Sequence, residues 1–148
     1  MLWITHRKFD DFCATTPIAF AKGLVGLGFD LTIINPEDEG SHSEAEWEHI
    51  GLEVHAVRGF QSRAFSKKVL AHIESMELDF DAYMMDWQVG VIVGKVLAQQ
   101  NRPCFLMDRS PPADSGILAK LQWKGWKDAW RLVKNELFTS GFVVSKAH

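Results

Sequence analysis

Cysteine is rare in this chain: Cys13 and Cys104 are the two among 148 residues. They are too few and too far apart for a disulfide scaffold or a CxxC metal site, which fits a reducing compartment. Each is expected to pack as a small buried hydrophobe. No apolar run approaches the roughly 18 residues of a membrane span. The opening MLWITHRKFDD turns charged too early for a signal peptide. The chain is therefore expected in the cytoplasm, with any membrane contact peripheral and at the inner face. Excess charge is also missing. A net charge of -3 gives no basic footprint over the domain and excludes nucleic acid as the expected partner. No GxGxxG follows the first apolar run and no GxxxxGK[ST] occurs, so nicotinamide and P-loop chemistry lose their main support. His42, His49 and His55 straddle an acidic loop and a strand at wider spacing than zinc ligands use, so no metal site is expected. Repeats, low-complexity tracts and linkers are absent, which leaves one domain over residues 1–148.

What is present is enough apolar side chain, 47% of residues, to bury a single core. Short apolar runs alternate with segments of helical period. That pattern specifies a three-layer, Rossmann-like α/β fold: a mostly parallel sheet of about six strands with helices on both faces. The spacing predicts strands at Leu2–Thr5, Asp30–Asn35, Leu52–Val57, Asp81–Asp86, Pro103–Met107 and Gly141–Ser145. A helix capped by Thr16, with Pro17 at its first position, stops at Gly28. Further helices are predicted over Ser62–Met76, Val89–Gln100 and about Gly116 to Leu137. Gly90 and Gly94 let the third of these four pack closely on the sheet. The acidic loop from Glu37 to Glu48 reads as solvated and mobile.

In open parallel sheets ligands bind outside the carboxyl ends of the strands, so the residues just after each strand form the functional shortlist. Here they are polar: His6, Arg7 and Lys8 after strand one, Arg58 after strand three, Asp86 and Trp87 after strand four, and Asp108, Arg109 and Ser110 after strand five. Such charged groups can hold phosphate or sugar hydroxyls. Asp86 and Asp108 end neighbouring strands, and either carboxylate can take a proton from a hydroxyl or hydrogen-bond to a sugar. The plainer account is that each Asp caps a turn or pairs with a neighbour such as Arg109. His6 can equally be a solvated loop histidine. Asp108 is the expected catalytic base, with His6, Arg7, Lys8, Asp86, Arg109 and Ser110 binding substrate.

The long helix near the end has two distinctive sides. At about 100° per residue, Trp123, Trp126 and Trp130 form one stripe that Val133 and Leu137 extend. Lys120, Lys124, Lys127, Arg131 and Lys134 run beside it, while Ile117, Leu118, Leu121, Gly125, Ala129 and Leu132 lie opposite. If the aliphatic side covers the sheet, tryptophan and lysine face outward, as on proteins that rest on anionic lipid. Alternatively the tryptophans pack into the core and the lysines are a solvated face. The same surface also suits docking of a further domain.

Four passages then point to a family. They are LWITH, PIAFAKGLVGLGFDLTIINP, FDAYMMDWQVGVIVGKVLAQQNRPCFLMDRSPP and NELFTSGFVVSKAH, which between them run from one end of the chain to the other. Their order resembles the acceptor-side, N-terminal domain of B-type-fold glycosyltransferases, particularly the family-4-like group. The resemblance implies transfer of a sugar from a nucleotide-sugar donor, which is a substrate rather than a cofactor, to a sugar or lipid-linked acceptor bound by this domain. It also implies a C-terminal donor-binding domain or subunit, following His148 if on the same chain, without which residues 1–148 alone are inactive. The sequence departs from that pattern twice. Thr5 to Thr16 contains no glycine where relatives often have a glycine-rich loop, and Asp108-Arg109-Ser110 stands where relatives tend to carry a histidine. Two other readings remain. One is a stand-alone module that recruits a catalytic donor-domain partner, and the other is a small flavodoxin-like nucleotide-binding protein.

Overall fold

The apolar runs pair as short parallel strands in a computed structural model of the chain. It describes residues 1–10, 15–38, 45–57, 59–76, 79–109, 111–112 and 115–143. The strands are β1 (Leu2–Ile4), β2 (Thr32–Asn35), β3 (Glu48–Gly51), β4 (Tyr83–Asp86), β5 (Cys104–Asp108) and β6 (Ser140–Val143). They form one sheet in the order β3-β2-β1-β4-β5-β6, with every neighbouring pair parallel. The order reverses between β1 and β4. In sheets of this type that switch point opens a crevice at the carboxyl ends of the strands. The expected α/β, Rossmann-like architecture is therefore present.

Among the described residues five helices cover the sheet: α1 (Thr15–Gly26), α2 (Gln61–Ile73), α3 (Trp87–Gly90), α4 (Gly94–Leu97) and α5 (Gly116–Lys134). Side chains alternate across the pleat, so each central strand feeds two cores. Leu2, Ile4, Tyr83, Met85, Cys104 and Leu106 meet α2 through α5 on one face. Trp3, Ile33, Met84 and Met107 meet α1 on the other. Burial on both faces explains why β1, β2 and β4 read as unbroken apolar runs.

Four expectations need correction. The third strand is Glu48–Gly51, not Leu52–Val57; it pairs Thr32 with Glu48 and Asn35 with Gly51, and the chain from Leu52 to Val57 continues without regular structure. As an edge strand, β3 needs only one covered side and one partner ladder, so apolar content is a poor guide to it. Gly51 is required there because a Cβ would lie 2.5 Å from the carbonyl oxygen of Glu37. Second, the acidic stretch is not solvated at its start: Glu37 is 4% exposed, and Trp47, just before β3, is buried. Residues 39–44 lie outside the described part.

The helix expected over Val89–Gln100 is instead α3, a turn, α4 and a short 3₁₀ turn at Ala98–Gln100. Gly90 and Gly94 do permit close packing, since a Cβ on Gly94 would strike the ring of Phe138. Finally, α5 ends at Lys134 rather than Leu137. Glu136 adopts a left-handed φ of 59°, and the amides of Leu137 and Phe138 turn back to the carbonyl of Leu132. The predicted sixth strand agrees over Gly141–Val143, and its last two residues lie outside the described part.

Candidate active site

β1 and β4 stand side by side at the switch point, so the residues that leave their carboxyl ends meet. Asp86 is the last residue of β4 and occupies the N-cap position of α3, yet its side chain makes no capping bond. It turns toward β1 instead. The Thr5 hydroxyl donates to Oδ2 of Asp86 at 2.6 Å, and Nδ1 of His6 lies 3.1 Å from the same oxygen. The Arg7 amide donates to the Thr5 hydroxyl at 3.2 Å, which closes the turn. The other carboxylate oxygen, Oδ1, is buried without a hydrogen-bond partner.

In the neutral ring, an Nδ1–H that donates to Oδ2 leaves the lone pair on Nε2. The His6 side chain is 17% exposed and that of Asp86 6%, so the pair is shielded but within reach of a ligand. His6, Arg7, Asp86, Trp87, Gln88, Met107 and Arg109 line one small cleft. The structure thus gathers four of the seven expected site residues, His6, Arg7, Asp86 and Arg109. Lys8 is exposed on the same loop but does not line the cleft. Ser110 and Arg58 lie outside the described residues.

Asp108 is the correction. It is 0% exposed and faces α5, not the cleft. Its Oδ2 accepts the indole N–H of Trp126 at 2.7 Å and of Trp130 at 2.8 Å. An acceptor hydroxyl cannot reach a carboxylate enclosed in this way, so the expected catalytic base is a structural anchor. The alternation of β5 explains the difference, since Asp108 points to the α5 face while Met107 and Arg109 on either side line the cleft.

The same bonds settle α5 in the second of its two expected orientations, with tryptophans turned inward. Trp126 and Trp130 are partly buried against the core, and Trp123 is the most exposed of the three. Ile117 and Leu121, which would cover the sheet in the other orientation, are 79% and 60% exposed. Ala129 and Leu132 farther along are buried, so the helix tilts its second half inward. Lys120, Lys124, Lys127 and Arg131 are exposed. Lys124 and Arg131 both bond to Asp128, and the Lys124 hydrogen bond is the main cause that holds the Asp128 carboxyl below its usual range.

A second network, which the sequence pattern did not reveal, supports the loop after β1. Glu37 Oε1 accepts the amides of Phe9 at 2.5 Å and Asp10 at 3.1 Å. Its Oε2 accepts the Asn35 side-chain amide at 2.6 Å, and Nε2 of His49 lies 2.8 Å from the Asn35 Oδ1. Asn35 ends β2 and His49 lies in β3. The two neighbouring strands therefore fix a loop that contains no glycine through a buried carboxylate. Among the described residues no group of three or more His, Cys, Asp or Glu side chains is placed to hold a metal. No described helix is long and apolar enough to cross a membrane.

No family model matches the chain, and no curated protein sequence matches it. Among solved structures, the fold is similar to that of the glycosyltransferase SnogD from Streptomyces nogalater, with 15% sequence identity and a TM-score of 0.50. The likeness covers 97% of this chain and 44% of that one, so the chain spans less than half the length of the enzyme and shares its fold.

Proposed function

We propose that this chain is the acceptor-side domain of a glycosyltransferase in which His6 is the general base and Asp86 holds it. The observation that carries the reading is the Asp86–His6 pair at the switch point, with Nδ1 engaged by Asp86 and the His6 ring lining the cleft. Nε2 removes the proton of an acceptor hydroxyl. That oxygen bonds to the anomeric carbon of the donor sugar as the bond to the nucleotide phosphate breaks, and the phosphate leaves with the electron pair. Direct displacement inverts the sugar's configuration. Asp86 supports the imidazolium that forms, and Thr5 keeps the carboxylate in place. Arg7 and Arg109 supply positive charge at the cleft for an anionic group of donor or acceptor. Contacts to the nucleotide-sugar donor belong to a separate donor-binding domain or subunit.

The test is sugar transfer by the full-length protein from a panel of nucleotide sugars, with native His6 and with His6→Ala. Loss of transfer in the variant, with donor affinity retained, supports the reading. Transfer at the native rate by His6→Ala would sink it.

The outer side of α5 favours a peripheral location for the same enzyme. Ile117 and Leu121 are exposed, as are Val57 and Phe60 on the segment before α2. A Cβ on Gly59 would lie 3.3 Å from Leu118, so the two segments adjoin. Lys120 and Lys127 are exposed on the same helix, and this surface suits an anionic membrane better than the tryptophan stripe does. A lipid-linked acceptor is consistent with such a location.

A further inference from the structure

A cavity of about 260 Å³ opens at the carboxyl ends of the strands on the α1 face. Trp3, Phe20, Met107, Phe142 and Val143 form its apolar wall, and Thr16 and Arg109 are its polar groups. Met107 and Arg109 also line the His6 cleft, so the two spaces share a border. Both residues point to this side because they flank Asp108 on β5, which points away. One molecule can therefore lie in the cavity and present a group to His6.

Trp3 and Met107 are buried, while Phe142 on the edge strand β6 is 45% exposed, so the cavity runs from the core to open solvent. Interiors of proteins are close-packed, and an apolar space of this size gains little from water. An engineered apolar cavity of about 150 Å³ accepts benzene. The present one has room for two fused rings or a comparable length of alkyl chain. A polyhydroxylated sugar does not suit it, because most of its hydroxyls would be desolvated without partners. The Arg109 guanidinium at the border matches an anion at the point where such a ligand leaves the apolar wall.

We infer that this cavity binds the apolar part of an amphiphilic acceptor, with Arg109 facing an anionic link between that part and the hydroxyl presented to His6. The inference rests on the transferase reading for the role of the ligand, but the binding itself can be measured without transfer.

The experiment titrates the full-length protein with 2-naphthyl phosphate, and separately with 2-naphthol and inorganic phosphate, by calorimetry. Saturable binding of 2-naphthyl phosphate is expected, with 2-naphthol weaker by about tenfold and phosphate alone weaker still. Val143→Trp and Thr16→Phe each fill the space from its rim and are expected to weaken 2-naphthyl phosphate by about tenfold or more. Native thermal melting of either variant is enough to read the result. Arg109→Gln is expected to remove the preference for naphthyl phosphate over naphthol while naphthol still binds. The inference is overturned if 2-naphthyl phosphate does not bind saturably, if a folded filling variant binds it as well as the native protein, or if inorganic phosphate binds equally tightly. His6→Ala separates the two proposals. Retained naphthyl phosphate binding without any sugar transfer by the native protein would keep the cavity and discard the transferase. Transfer that depends on His6, without naphthyl binding, would discard the cavity alone.

Discussion

The indole nitrogen of Trp130 lies 2.8 Å from Oδ2 of Asp108, which ties the second half of α5 to the last residue of β5. Trp126, one turn earlier, donates to the same oxygen at 2.7 Å. Removing one donor leaves a buried carboxylate less satisfied. Trp130→Phe keeps most of the ring and is expected to lower stability by about 1–3 kcal/mol. The denaturant midpoint checks this, and an unchanged midpoint would show that the bond adds no net stability.

Asp108 and His6 make opposite predictions for chemistry. His6→Ala is expected to lower the transfer rate by about 10²- to 10⁴-fold. Asp86→Asn, which upsets the His6 tautomer, is expected to lower it by up to about 10⁴-fold. Asp108→Asn should leave the pH dependence of transfer unchanged because its side chain does not meet the cleft. Rate profiles against pH decide the matter: loss of the basic-group limb in Asp108→Asn but not in His6→Ala would return the base to Asp108.

Glu37 holds the Phe9 and Asp10 amides from beneath the sheet edge. In Glu37→Gln one oxygen is replaced by a donor that faces donors. The expected loss is about 1–3 kcal/mol. The Phe9 and Asp10 amides should also exchange hydrogen faster than those of β1, which hydrogen-exchange mass spectrometry can follow. Equal protection in the variant would mean that other contacts position the loop.

Burial pushes the Cys104 thiol up to about 11 from its ordinary 9.0. The folded state therefore keeps the proton where the unfolded chain loses it, so stability is full below pH 9 and falls as pH rises from about 9 to 11. In a Cys13→Ser background, iodoacetamide at pH 8.5 should label the native protein much more slowly than the unfolded one. Equal labelling rates would mean that the thiol is accessible.

The patch of Ile117, Leu121, Val57 and Phe60 predicts sedimentation with vesicles rich in phosphatidylglycerol and weaker sedimentation with phosphatidylcholine alone. Each lysine of α5 that comes near the lipid surface contributes about 1 kcal/mol. The pair Ile117→Asp and Leu121→Asp should abolish sedimentation. No sedimentation of the native protein at low salt would end the membrane proposal.

Much of the fold was legible because central parallel strands are buried on both faces and leave unbroken apolar runs, as in LWIT, LTIIN and CFLM. The edge strand β3 was not legible, since EHIG carries little apolar signal and takes its place from its ladder with β2. The position after each strand brought His6, Arg7, Asp86 and Arg109 onto the shortlist, and these four line one cleft. It could not rank Asp86 above Asp108, because both end buried strands with the same residue type.

The sequence by itself determined the order of strands and helices, the layered architecture and the end of the sheet where polar groups collect. These follow from local period and from turn and cap residues within a few positions of each other. Only the tertiary structure decided which carboxylate lines the cleft, which side of α5 faces inward and what Glu37 holds. Each of these depends on atoms brought together from 18 to 80 residues apart. Such partnerships form when strands take their neighbours and each side chain commits to one face of the sheet, and no local pattern records that choice.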